Sequence, residues 1–266
     1  AAGPTLLDAF QRLETLEFCA RIHLRARTLG DVLTLTEPAL SLFDQCDNTL
    51  PEFTPAAHSS AERELRRQVI DIAARAYERQ LMISTQGVVS ARLDADSFLI
   101  TPAGRDRLTL GVEDVVLVRG DRREAGKLPS RAVLLHEAIY AANPDIAAII
   151  AAQPPNVTAY AVTLAQFDSR TIPESFILLR DIPRLPYEMC YTQLEAVAER
   201  VSLRAPVALM ANDGVLAVGN SVLAAFDRLE VAEFSARSLI DAAVLGELAP
   251  MEAEAIEGLK AAFNLS

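Results

Sequence analysis

The feature that most constrains this chain is an internal repeat: residues 1–30 match residues 217–246 at one fixed offset of 216. Ala9-Phe10-Gln11-Arg12-Leu13-Glu14 recurs as Ala225-Phe226-Asp227-Arg228-Leu229-Glu230, and Glu17-Phe18 as Glu233-Phe234. Ala20-Arg21 recurs as Ala236-Arg237, and Leu29-Gly30 as Leu245-Gly246. In the second copy Ala225, Leu229, Ala232, Ala236, Leu239 and Ala243 fall at helical spacing, which predicts a long amphipathic helix from about 221. Both copies stop at Leu-Gly, a natural helix end. A separation of about one domain predicts that residues 1–58 are the C-terminal helical remnant of a preceding homologous domain plus a linker. Residues 59–266 then form the domain proper, and a further homologous domain is expected ahead of Ala1.

The linker is read at about 44–60, where prolines and small polar residues show no periodicity. Ser59 and Glu62 then form a capping-box pattern, and Leu65, Val69, Ile72, Ala73 and Ala76 give one helical face. Short strands are expected near 88–93, 97–101, 115–118, 146–151, 206–211 and 214–218, with helices near 131–142, from 155 and at 193–203. Ser130 is expected as the N-cap of the first of these helices. Several strands in succession between helices predict a layered α/β sandwich, a central mixed or antiparallel sheet flanked by helices.

Composition narrows the partners. A formal charge of −11 argues against nucleic acid or anionic membrane as a partner. Charges interrupt every apolar run well before the roughly 20 residues of a membrane span. Cys19, Cys46 and Cys190 have no disulfide or metal spacing, so they read as buried structural thiols of a cytoplasmic protein. There is no glycine-rich nucleotide loop, and Lys127 and Lys260 are the two lysines, neither in an apolar setting suited to Schiff-base chemistry.

Five short motifs occur in register: Gln86-Gly87-Val88-Val89-Ser90-Ala91-Arg92, Leu99-Ile100-Thr101-Pro102-Ala103-Gly104, Gly126-Lys127-Leu128-Pro129-Ser130, Asn143-Pro144-Asp145 and Asn212-Asp213-Gly214-Val215-Leu216. Together they resemble the class II aldolase/adducin family, which includes sugar-phosphate aldolases of the L-fuculose-phosphate kind. The resemblance implies zinc held by three histidines and a catalytic acid after a serine pair. Here those positions are Ala151, Gln153 and Asp213 for the metal and Ala132 for the acid, so the expectation is no zinc and no other cofactor. The family's phosphate cradle implies an anion site at Gly87, Gly104, Ser130 and Arg131, for phosphate or sulfate. Asp213 reads as a turn residue, and His136 as a packed or locally hydrogen-bonded histidine.

These substitutions lead to the expectation of a catalytically degenerate domain, serving as a structural, assembly or anion-binding module that associates with itself or with an intact homologous domain. The alternative is a metal-dependent aldolase- or epimerase-type carbon–carbon lyase that uses relocated residues or those of a neighbouring subunit.

Overall fold

The apolar stretches become one nine-stranded sheet in the computed structural model, which describes residues 1–46 and 48–265. In spatial order the strands are β1 (Glu52–Phe53), β5 (Arg122–Glu124), β4 (Val116–Arg119), β3 (Ser97–Ile100), β2 (Val88–Arg92), β6 (Ala148–Ala152), β9 (Gly214–Gly219), β8 (Val207–Met210) and β7 (Arg184–Leu185). Neighbours run antiparallel except at the two edges, where β1 joins β5 and β7 joins β8 in parallel. This is the expected sandwich.

Helices cover both faces, which is why the strands read as continuous apolar runs rather than alternating ones. Val89, Ala91, Leu99, Leu117, Ile150 and Ala217 point to one side, into a core shared with α3 (Ser60–Glu78), α5 (Pro155–Ala161) and α9 (Val222–Ala243). The alternate residues Val88, Phe98, Ile100, Val118, Ile149 and Leu216 point to the other side, against α4 (Val133–Ala142) and α8 (Leu194–Ala198). Among the described residues no helix is long and apolar enough to cross a membrane.

The first repeat copy is a helix, α1 (Leu6–Leu29), capped by a reciprocal Thr5–Asp8 pair. It lies on α5 and touches α9. Gly30 and Gly246 end the two copies with the same φ of +144°, a conformation open to glycine. Cys19 and His23 lie exposed on α1, so the reading of Cys19 as a buried thiol does not hold.

The stretch read as linker is part of the structure on both sides of Asp47, which itself lies outside the described residues. Its backbone finds ladder partners: the N–H of Arg123 donates to Pro51 O at 2.8 Å and that of Ala125 to Phe53 O at 2.9 Å. The short helix α2 (Glu37–Asp44) precedes it, and α6 (Pro173–Leu179) and α10 (Ala253–Phe263) are further helices without a sequence expectation. The helix expected at 193–203 ends early, at Ala198, where Arg200 N–H turns back to Val197 O and Ser202 N–H pairs with Ala205 O; non-helical Gln193 separates α8 from a single turn, α7 (Met189–Thr192).

Candidate active site

All eight positions singled out from the sequence line one cavity of about 610 Å³: Gly87, Gly104, Ser130, Arg131, Ala132, Ala151, Gln153 and Asp213. They come from five separated segments that meet where β2, β6 and the β8–β9 turn end beside the start of α4.

The end of the cavity lined by Gly104 and Ser130 is held by backbone bonds between loops. Ser130 N–H donates to Thr101 O at 3.1 Å, and Ala103 N–H to Leu128 O at 3.0 Å, which joins the loop of Gly104 to that of Ser130. Behind the second loop, buried Arg66 bridges Glu62 and Glu124, and Lys127 reaches Glu124 at 2.6 Å. Ser130 is not the N-cap of α4. The cap is Ala132 and makes no side-chain bond; Ser130 Oγ only accepts from Ala132 N–H at 3.4 Å, because a turn bonding Val133 N–H to Ser130 O intervenes. The Ser130 hydroxyl is therefore not committed to a strong cap bond.

Gly87 has φ +79°, and a Cβ there would meet the Met82 side chain at 2.7 Å, so only glycine allows this close approach. The residue that pins its loop is Arg107, which the sequence reading missed. Arg107 is 2% exposed and donates to Gly87 O at 2.9 Å, Arg105 O at 2.8 Å and Pro102 O at 3.1 Å. Burial lowers it to about 10 despite the nearby Asp106 carboxylate. Among the described residues its side-chain hydrogen bonds go to backbone carbonyls and to no carboxylate.

The opposite end of the cavity is built on the β8–β9 turn. Asn212 takes φ +57°, as asparagine tolerates, and a Cβ on Gly214 would fall 2.3 Å from Ala152 O. The turn expected at 212–214 is present, and it also carries the Asp213 carboxylate into the cavity wall. Burial raises the Asp213 carboxyl, and a hydrogen bond from Gln153 at 3.4 Å opposes this only weakly. Around it stand groups whose own protons are held tightly: Cys190 is pushed up to about 12, by burial first and then by the Asp213 charge, and Tyr191 is raised for the same two reasons.

A third wall comes from Phe43 of α2 and from the stretch read as linker. Arg131 stacks on Phe43, its guanidinium carbon 3.6 Å from the ring centroid, and Asn48 donates to Pro129 O at 2.6 Å. Cys46 lines the cavity as well. Nothing in the local sequence of 43–48 signalled this, since the contact exists only once α1 returns the chain across the domain.

Zinc does not fit the three family positions. Ala151 has no donor atom, Gln153 offers an amide, and Asp213 one carboxylate. Among the described residues no group of three or more His, Cys, Asp or Glu is placed to hold a metal ion.

Residues 67–240 match the sequence model of the Class II Aldolase and Adducin N-terminal domain. The chain belongs to this family. It is similar to the 3-oxo-tetronate 4-phosphate decarboxylase of Haemophilus influenzae, 30% identical over 186 residues, with 66% of this chain and 86% of that protein covered. It is also similar to the methylthioribulose-1-phosphate dehydratase of Pseudomonas aeruginosa, 37% identical over 97 residues, 36% of this chain. The chain spans about half the length of that dehydratase, 47%. Among solved structures, YgbL of Escherichia coli superposes with a TM-score of 0.64 at 25% identity, covering 75% of this chain and 99% of that one.

These relatives overturn the expectation of a degenerate structural module, because they are named as enzymes. Replacing three imidazoles speaks to zinc affinity, whereas the cavity and its proton-bearing groups remain in place.

Proposed function

We propose that the chain is an enzyme that breaks a bond adjacent to a carbonyl in a small phosphorylated carbohydrate derivative. The observation that carries this is a cavity that joins a cationic, glycine-lined end to a half-buried carboxyl at the other. Relatives named for acting on phosphorylated compounds support the substrate class.

In this reading the phosphate lies against Gly87, Gly104 and Ser130, with Arg131 as the direct cation and Arg107 supplying a positive field from behind the loop. Arg131 is held in place by Phe43. The carbonyl lies near Asp213. As a carbon–carbon bond at the carbon next to the carbonyl breaks, its electron pair passes into the carbonyl group as an enolate with negative charge on the oxygen, while the other fragment leaves as a carbonyl compound or as carbon dioxide. Asp213, whose carboxyl holds its proton more tightly than an ordinary aspartate, donates that proton to the oxygen. The Tyr191 phenol and the Gln153 amide are further hydrogen-bond donors at this end. No step is assigned to zinc, since the donors for it are lacking.

The test is turnover of a panel of ketose phosphates and oxo-acid phosphates by the purified protein, with Asp213→Asn as the control. The expected result is turnover of at least one member, reduced on the order of 10²-fold or more in the variant. Absence of turnover across the panel, or an unchanged rate in Asp213→Asn, refutes the reading.

A further inference from the structure

The two repeat copies bury opposite faces. Ten residues of α9 are buried, and the positions 216 earlier in α1 are exposed in nine cases, with Ala9 between the classes. Phe226 is 0% exposed and its counterpart Phe10 is 54%; Leu229 is 0% and Leu13 is 52%. The reverse holds on the other face, where Phe18 of α1 is 5% exposed and its counterpart Phe234 of α9 is 49%. α9 uses its stripe to cover β6 and β9 of its own sheet. α1 keeps a homologous stripe, with Leu6, Phe10, Leu13, Leu16 and Leu24 exposed, and among the described residues no sheet lies beneath it.

We infer that the exposed stripe of α1 covers the sheet of a second aldolase-fold domain, of which α1 is the last helix, and that the two domains pack about a local twofold axis through α1 and α9. A helix that is only a docking arm has no reason to keep a sheet-facing apolar pattern in register with α9; free apolar surface of this extent marks an interface. The axis is located by an ion pair. Arg25 Nη1 donates to Asp241 Oδ1 at 2.9 Å, and residue 241 is the repeat counterpart of residue 25. A contact between equivalent positions occurs where a twofold axis relates two copies. The equivalents Arg21 and Arg237 likewise line one cavity of about 680 Å³ between the helices. By that symmetry the exposed face of α9 around Phe234 rests on the second domain's counterpart of α5, as Phe18 and Ala26 of α1 are buried here. The occupant is thus a homologous domain in the same polypeptide rather than a second copy of this chain, whose own sheet already carries its α9.

Cys19 reports on the stripe, because its counterpart Ser235 is buried in α9. The experiment is maleimide labelling of Cys19, read by peptide mass spectrometry, in the 266-residue chain and in the complete gene product. The expected result is fast labelling in the former and labelling on the order of 100-fold slower or more in the latter, as for a site that reacts only after local opening. Phe234→Arg is expected to leave the melting of the 266-residue chain unchanged and to restore at least part of the Cys19 labelling rate in the complete product. Equal rates in the two proteins, or a reading frame without a homologous domain ahead of Thr5, overturn the inference. Protection of Cys19 that grows with concentration of the 266-residue chain assigns the stripe to a second copy and overturns it too.

Discussion

Acidification is expected to unfold this protein in part through one residue, His136. Its ring is fully buried in α4, with Nδ1 2.7 Å from Ser90 Oγ, which in turn lies 2.8 Å from the Tyr140 hydroxyl, while Nε2 has no partner among the described residues. Burial lowers His136 from 6.5 to about 3. A histidine depressed in the folded state leaves stability intact above the unfolded value and removes it as pH falls toward the folded value. At about 1.4 kcal/mol per pH unit, going from pH 7 to pH 4.5 costs roughly 2.7 kcal/mol through this group alone. His136→Asn removes the titration and can keep a bond to Ser90, since the asparagine amide reaches where Nδ1 lies. Urea unfolding at the two pH values, compared between the proteins, isolates the residue from the carboxylates that titrate in both. The wild-type midpoint should fall by about 1 M urea more than that of the variant, taking a slope of roughly 2–3 kcal/mol/M. Equal falls would refute the assignment of a neutral, desolvated His136.

Asp213 is expected to act with the opposite sign. Its raised carboxyl makes stability greatest below the ordinary aspartate range near 4 and lost as pH rises through the folded value, so Asp213→Asn should flatten that part of the urea-midpoint profile. A variant profile parallel to wild type would contradict it. Arg107→Leu leaves three backbone carbonyls without their donor and should destabilise by roughly 3 kcal/mol or more, measured by thermal melting, along with weaker binding of inorganic phosphate in calorimetry. Phe18→Ala should destabilise the 266-residue chain by about 3 kcal/mol, while Leu16→Asp should change it by less than about 0.5 kcal/mol. After equilibration with zinc and desalting, the protein is expected to retain well under one zinc per chain by metal analysis.

The periodic elements were legible because their signal is local. The stripe of Ala225, Leu229, Ala232 and Ala236, the apolar runs of β2, β6 and β9, and the Asn212–Gly214 turn each follow from neighbouring side chains and backbone preferences. The family resemblance that the short motifs carry in register likewise pointed to eight positions that line the cavity. What the sequence did not disclose depends on distant segments meeting. Arg107 looks like one more surface arginine in a charged loop, and becomes a buried cation only because the loops of Gly87 and Pro102 close over it. The stretch at about 44–60 has no periodicity, yet β5 gives part of it a strand partner, and just before it Arg131 gives Phe43 of α2 a cation to stack on. The repeat itself was plain in the sequence, but which face each copy buries was not. A homologous apolar stripe is core in α9 and surface in α1, since burial belongs to the sheet that a helix meets rather than to the helix.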